Sequence, residues 1–172
     1  MDQRSDDKPG LAQHAPAGHQ ATPQATQQET LQAARQLAQA CADQMYGDDA
    51  ATRALGIALL EVRPGYARMQ MTVRADMLNG HRTCHGGYIF TLADSAFAFA
   101  CNTYNQVTVA AGCAIEFLAP ALEGEVLVAE AVEQSRGSKT GVYDVTVTNP
   151  AGRKVALMRG KSHLWKGSVL PE

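Results

Sequence analysis

The sequence predicts an α+β domain in which one long antiparallel sheet wraps around a single central helix. Three observations lead there. Segments with strand periodicity follow one another through short turns, the habit of antiparallel sheets. The segment Gly86 to Asn102 is apolar on every face, which is the pattern of a helix surrounded by other elements. The lengths also match: about 18 residues of helix at roughly 1.5 Å each span ~27 Å, close to strands of about ten residues at roughly 3.3 Å.

Taken in order, residues 1–28 hold no Val, Ile, Phe, Tyr or Trp but six Gln, three Pro and two Gly, so a disordered tail is expected there. Thr26-x-x-Glu29 reads as a capping box for a short amphipathic helix over 29–47. Its stripe is Leu31, Ala34, Leu37, Cys41 and Met45, with Gly47 as the C-terminal cap and the helix docked on the surface of the rest. The main domain is expected over 48–166, followed by a C-terminal tail, 167–172. Its strands are read at 57–63, 66–74, 108–118, 124–134, 140–148 and 153–165. Turn chemistry at Pro64-Gly65, Gly124, Arg136-Gly137-Ser138 and Asn149-Pro150-Ala151-Gly152 separates them.

Composition narrows the function. Fifteen Lys and Arg against 17 Asp and Glu leave a net charge of −2 with no basic run, which argues against nucleic acid as a partner. Four cysteines without CxxC spacing, behind an N-terminus that carries no apolar stretch, point to the reducing cytoplasm rather than a secreted disulfide scaffold. The longest apolar run, Tyr88 to Ala100, is too short to span a bilayer and contains Asp94.

Asp94 is the residue that contradicts its surroundings: a carboxylate in the middle of an apolar helix is either satisfied structurally or used at a cavity. Ahead of it, Asn79-Gly80-His81-Arg82-Thr83-Cys84-His85-Gly86-Gly87 brings polar groups and glycines to the helix start. The uncovered amides and the positive end of the helix dipole there suit an acyl carbonyl becoming an oxyanion. The glycines could equally serve close packing. Gly86 and Asp94 lie eight residues, about 12 Å, apart along the axis, whereas a base or nucleophile acts within roughly 3 to 3.5 Å or through one water. Within one chain they cannot serve one carbonyl. If both are catalytic, two copies meet around a two-fold axis with antiparallel helices, Gly86 of one facing Asp94 of the other.

Other arrangements fit less well. His81, Cys84 and His85 invite a zinc site, but no further ligand cluster completes it, and no metal or other cofactor is expected. A Cys84 nucleophile would need the adjacent His85 to fold back on it. Arg136, Ser138 and Lys139 in a hairpin loop and Lys161 in the last strand are candidates for the phosphates of a nucleotide-tailed thioester such as coenzyme A, or are simply solvated. Trp165 reads as core or interface packing.

The motif Asn79-Gly80-His81, Cys84-His85-Gly86-Gly87 and Leu92-Ala93-Asp94-Ser95-Ala96-Phe97-Ala98 resembles the acyl-CoA thioesterases of the hotdog superfamily, in particular the phenylacetic-acid-degradation (PaaI) type. Gly141 to Val145 and Val155 to His163 are similar as well, so the resemblance covers roughly residues 55 to 165. It implies a hotdog fold and hydrolysis of an acyl-CoA, phenylacetyl-CoA or a ring-hydroxylated derivative. Gly86 N–H would polarise the carbonyl and Asp94 of the opposing subunit would act as general base or nucleophile. Asn79 and His85 would position water or substrate, and Gly87 and Phe90 would line the substrate pocket. The family works as homodimers that often pair into tetramers, without a metal. Two positions depart from its pattern: Ala98 stands where some relatives carry a hydroxyl, with Ser95 the nearer hydroxyl, and Arg82 stands near the expected pocket mouth. The competing readings are a non-catalytic acyl-CoA-binding module and a hotdog hydratase or dehydratase pairing His85 with Asp94.

Overall fold

A computed structural model describes residues 23–171. Helix α1 (Pro23–Asp48) and a short α2 (Ala50–Ala54) precede strands β1 (Ala58–Arg63) and β2 (Tyr66–Thr72). A 3₁₀ turn (Ala75–Met77) leads to α3 (Gly86–Cys101), and β3 (Thr108–Phe117), β4 (Val126–Arg136), β5 (Thr140–Thr148) and β6 (Lys154–Leu164) follow. All six strands lie in one antiparallel sheet, in the order β1-β2-β4-β5-β6-β3. Alternation and turn residues placed these strands to within two residues of where they are found.

The sheet curls around α3. Met69 and Met71 of β2, Leu127, Ala129 and Ala131 of β4, Tyr143, Val145 and Val147 of β5 and Met158 of β6 meet Leu92, Ala96, Phe97 and Phe99 in one buried cluster. Gly160 belongs to this arrangement: a Cβ there would lie 3.0 Å from the Phe97 ring, so the missing side chain lets the helix settle close to β6.

The first helix differs from expectation. It begins at Pro23 rather than at residue 29, so residues 23–28 are helical, while residues 1–22 of the expected tail lie outside the described residues. Proline suits a first helical position because its missing N–H is one the helix leaves unpaired. Thr26 stands inside the helix, and Gly47 does not end it; the chain continues to Asp48, and Asp49 then caps α2 by accepting from the Thr52 N–H at 2.9 Å. Docking is confined to the C-terminal part. Ala38, Cys41 and Ala42 are buried and Tyr46 meets Phe99 edge-on, whereas Leu31 and Leu37 of the expected stripe are 59% and 38% exposed, because the helix is longer than the surface beneath it.

The C-terminal segment is tied down. Val107 N–H donates to Gly167 O, and Leu170 N–H donates to Asn105 Oδ1 at 2.8 Å. Strand β3 is the contrasting element: it closes one edge of the sheet and is exposed along nearly its whole length, with small residues from Ala110 to Ala114.

Candidate active site

The loop before α3 is shaped by its own polar groups. Asn79 Oδ1 accepts from the N–H groups of His81 (2.9 Å) and Thr83 (3.3 Å), and Asn79 Nδ2 donates to Thr83 Oγ1 (3.0 Å). Arg82 takes a positive φ of 59° within this turn. The loop is then anchored to its surroundings, Cys84 N–H on Ala121 O and His85 N–H on Met77 O. Asn79 therefore acts first on its own backbone, an Asx-type turn that presents the helix start.

His85 is the N-cap of α3, and its Nδ1 accepts from the Gly87 N–H at 3.0 Å. That bond puts the proton of the neutral imidazole on Nε2. Gly86, between them, keeps its N–H without a partner among the described residues. A Cβ at Gly86 would sit 3.0 Å from the Phe117 ring, so glycine leaves this amide bare beside an aromatic wall. Asn79, Thr83, Gly86, Ile89, Phe117 and Leu118 line one cleft of about 400 Å³. On the other side of the loop, His85, Gly87, Tyr88 and Thr91 face a second cleft of about 510 Å³. Phe90 is partly buried against the core and lines neither.

Asp94 lies half-buried on the stripe of α3 that the sheet leaves least covered, with Gly87, Thr91 and Ala98. It has no hydrogen-bonding or cationic partner among the described residues, and burial pushes its carboxyl pKa up. It lines neither of the two clefts. Ser95 does not assist it: the Ser95 hydroxyl is buried against α2, 3.1 Å from Thr52 Oγ1. The hydroxyl on the Asp94 stripe is Thr91, whose Oγ1 donates to Gly87 O at 2.8 Å.

Thiol chemistry is disfavoured. Burial pushes Cys84 to about 11 and Cys101 to about 12, so neither supplies thiolate at neutral pH. No three metal-ligating side chains converge among the described residues. At the far end of α3, Arg136 lies over the Tyr104 ring, 4.1 Å from its centroid, and donates to Gln106 Oε1; Lys139 lines the same recess and Ser138 occupies the hairpin turn. Lys161 stands exposed on the sheet, opposite Val142 and Gly112.

A bare amide stands at the start of α3 and an unpartnered carboxylate two turns on, and the fold that carries them is shared with known proteins. The thioesterase superfamily model matches residues 81–156. The acyl-coenzyme A thioesterase PaaI of Escherichia coli is 48% identical over 128 residues, which is 74% of this chain and 91% of the relative. The chain belongs to the thioesterase superfamily, in its PaaI-type acyl-CoA branch. As a hotdog thioesterase it aligns with the structure of E. coli PaaI from the phenylacetic acid degradation operon with a TM-score of 0.77 and 46% identity, covering 78% of this chain and 97% of the other. A Streptococcus mutans protein, smu.793, bound to acetyl CoA, aligns at 27% identity with a TM-score of 0.62, covering 65% and 90%. Two residues that line these clefts were not singled out in the sequence. Thr91 was signalled by its place on the stripe of Gly87 and Asp94; Phe117 had no local signal, since it reaches Gly86 from the end of β3.

Proposed function

We propose that this thioesterase hydrolyses arylacetyl-CoA esters, phenylacetyl-CoA and its ring-hydroxylated derivatives, at two composite sites in a homodimer. The observation that carries the reading is the pair of unmet groups on one helix: the Gly86 N–H and the Asp94 carboxyl both lack partners among the described residues, yet stand about 12 Å apart along the axis. A second copy with an antiparallel α3 supplies each with the other. The free edge of β3 supports this, since an exposed strand of small residues is a ready template for its own copy.

In such a site the thioester carbonyl accepts from Gly86 N–H at the positive end of α3, with the Phe117 ring alongside. The partner's Asp94, its carboxyl pKa already raised, takes a proton from the attacking water as oxygen bonds to the carbonyl carbon. When the C–S bond breaks, CoA leaves with the proton and the free acid remains. Direct attack by the carboxylate would pass instead through an anhydride, and single turnover in ¹⁸O-water separates the two by whether label enters Asp94. Asn79 keeps the loop in shape, and His85 presents its Nε2–H to solvent and substrate. Arg136, Ser138, Lys139 and Lys161 of the other chain serve the CoA phosphates, because antiparallel helices bring the C-terminal end of one α3 toward the start of its partner's. The resemblance adds the pairing of dimers into a tetramer, and four free cysteines favour the reducing cytoplasm.

Complementation tests the design. Gly86→Pro deletes the amide at a first-turn position where the proline backbone is at home, and His85 already has the extended ψ of 133° that precedes proline; the proline Cβ requires the Phe117 ring to give way by a few tenths of an ångström. Gly86→Pro and Asp94→Ala are each expected to release almost no thiol from phenylacetyl-CoA. Mixed and re-assembled, a hybrid dimer carries one intact site and recovers about half the wild-type rate per dimer. Two inactive variants that stay inactive when mixed defeat the composite site; a wild type inert toward aryl, short-chain and long-chain acyl-CoAs defeats hydrolysis itself.

A further inference from the structure

Trp165, the one tryptophan of the chain, is 64% exposed in the single chain and so is not a core residue. Its backbone is fixed: Trp165 N–H donates to Val107 O at 2.7 Å, and the preceding Leu164 N–H donates to Lys139 O at 2.8 Å. Trp165 therefore follows directly on the residue that pairs with the β4–β5 hairpin, and its own backbone is held to the start of β3. Lys161 and His163 approach it at alternate exposed positions of β6, His163 pairing with Thr140, and Lys166 follows it.

This end of the sheet is basic without compensation. Among the described residues the ion pairs are Arg63–Glu61, Arg74–Asp76 and Arg159–Asp144, and none involves Arg136, Lys139, Lys161 or Lys166. With a net charge of −2 on the chain, the positive charge is a local concentration. A large ring held open to water on a fixed backbone, among unpaired cations, is complementary to a ligand that is both planar and anionic. Nucleotides have that chemistry: the base stacks on the aromatic face while the phosphates meet Lys and Arg.

We propose that Trp165 is the platform on which the adenine of coenzyme A stacks, with Lys139, Lys161 and Lys166 around its phosphates. The assignment rests on the acyl-CoA reading above and adds the residue that recognises the nucleotide end. It makes the enzyme selective for the carrier independently of the acyl group.

The lone tryptophan makes the test direct. Its emission is expected to be quenched saturably by coenzyme A and by adenosine 3′,5′-bisphosphate, and not by pantetheine. Trp165→Ala is expected to raise KM for phenylacetyl-CoA about tenfold, from the usual cost of losing one base–aromatic stack, and to leave kcat and the hydrolysis of S-phenylacetyl-pantetheine unchanged. Trp165→Phe is expected to recover most of the lost affinity. Emission indifferent to coenzyme A, or an equal KM rise with the pantetheine ester, overturns the platform while thioester hydrolysis by the wild type stands. Quenching by the nucleotide in a protein that hydrolyses no thioester supports the platform and overturns the hydrolytic reading.

Discussion

An ionised Asp94 is poorly accommodated in the single chain, and that has measurable consequences. Because burial raises its pKa above the carboxylate value of 3.8, the folded protein holds this proton more tightly than the unfolded one. Stability is then lost as pH rises from 3.8 through the raised value, and the penalty is complete above it. Asp94→Asn is expected to raise Tm at pH 7, with the gain shrinking to nothing as pH falls below 3.8, while kcat drops by about 10² to 10⁴. The acid limb of kcat/KM in the wild type is expected above the ordinary carboxylate range; a limb near 3.8 separates the titrating group from Asp94. At the other half of the proposed site, Gly86→Pro is expected to keep the helix and cost about 10² to 10³ in kcat, the usual loss of one oxyanion donor, measurable with thermal unfolding as the control for folding. Asp94 and Gly86 were legible in the sequence because each breaks a local rule, a charge in an apolar helix and glycine at a helix start. Phe117 and Trp165 break no such rule; one acts across 31 positions of sequence, and the exposure of the other is decided by where β6 ends.

Strands were easier to read than helix ends. The period of two along β2 and β5 and the Gly and Pro turns leave few alternative registers, whereas Gln and Ala over residues 23–28 propagate a helix without any apolar stripe to announce it. β3 carries an expectation of its own. Between Ala110 and Gly112 its register to β6 slips, so Ala111 is skipped by the pairing. Ala111→Pro removes a backbone donor from the strand at the position where the β6 ladder needs it least. We expect that variant to run as an 18.3 kDa monomer in sedimentation, with its sheet retained in circular dichroism and its thioesterase activity gone. A variant that remains dimeric and active shows that β3 is not the joint between copies.

At the scale of the whole molecule, activity and cohesion are the same event if each site needs two chains. Specific activity per chain is expected to fall on dilution through the dimer dissociation constant, and Tm to rise with protein concentration. A rate per chain that is constant over several decades of concentration speaks for a site complete within one copy. The sulfur atoms suit this chemistry. Cys84 and Cys101 are held at about 11 and 12 by burial, and Cys113 on β3 is raised by burial and by Asp94, so each stays protonated. Activated acyl groups pass readily onto ionised sulfur. An enzyme that handles such groups at every turnover is thereby spared self-acylation.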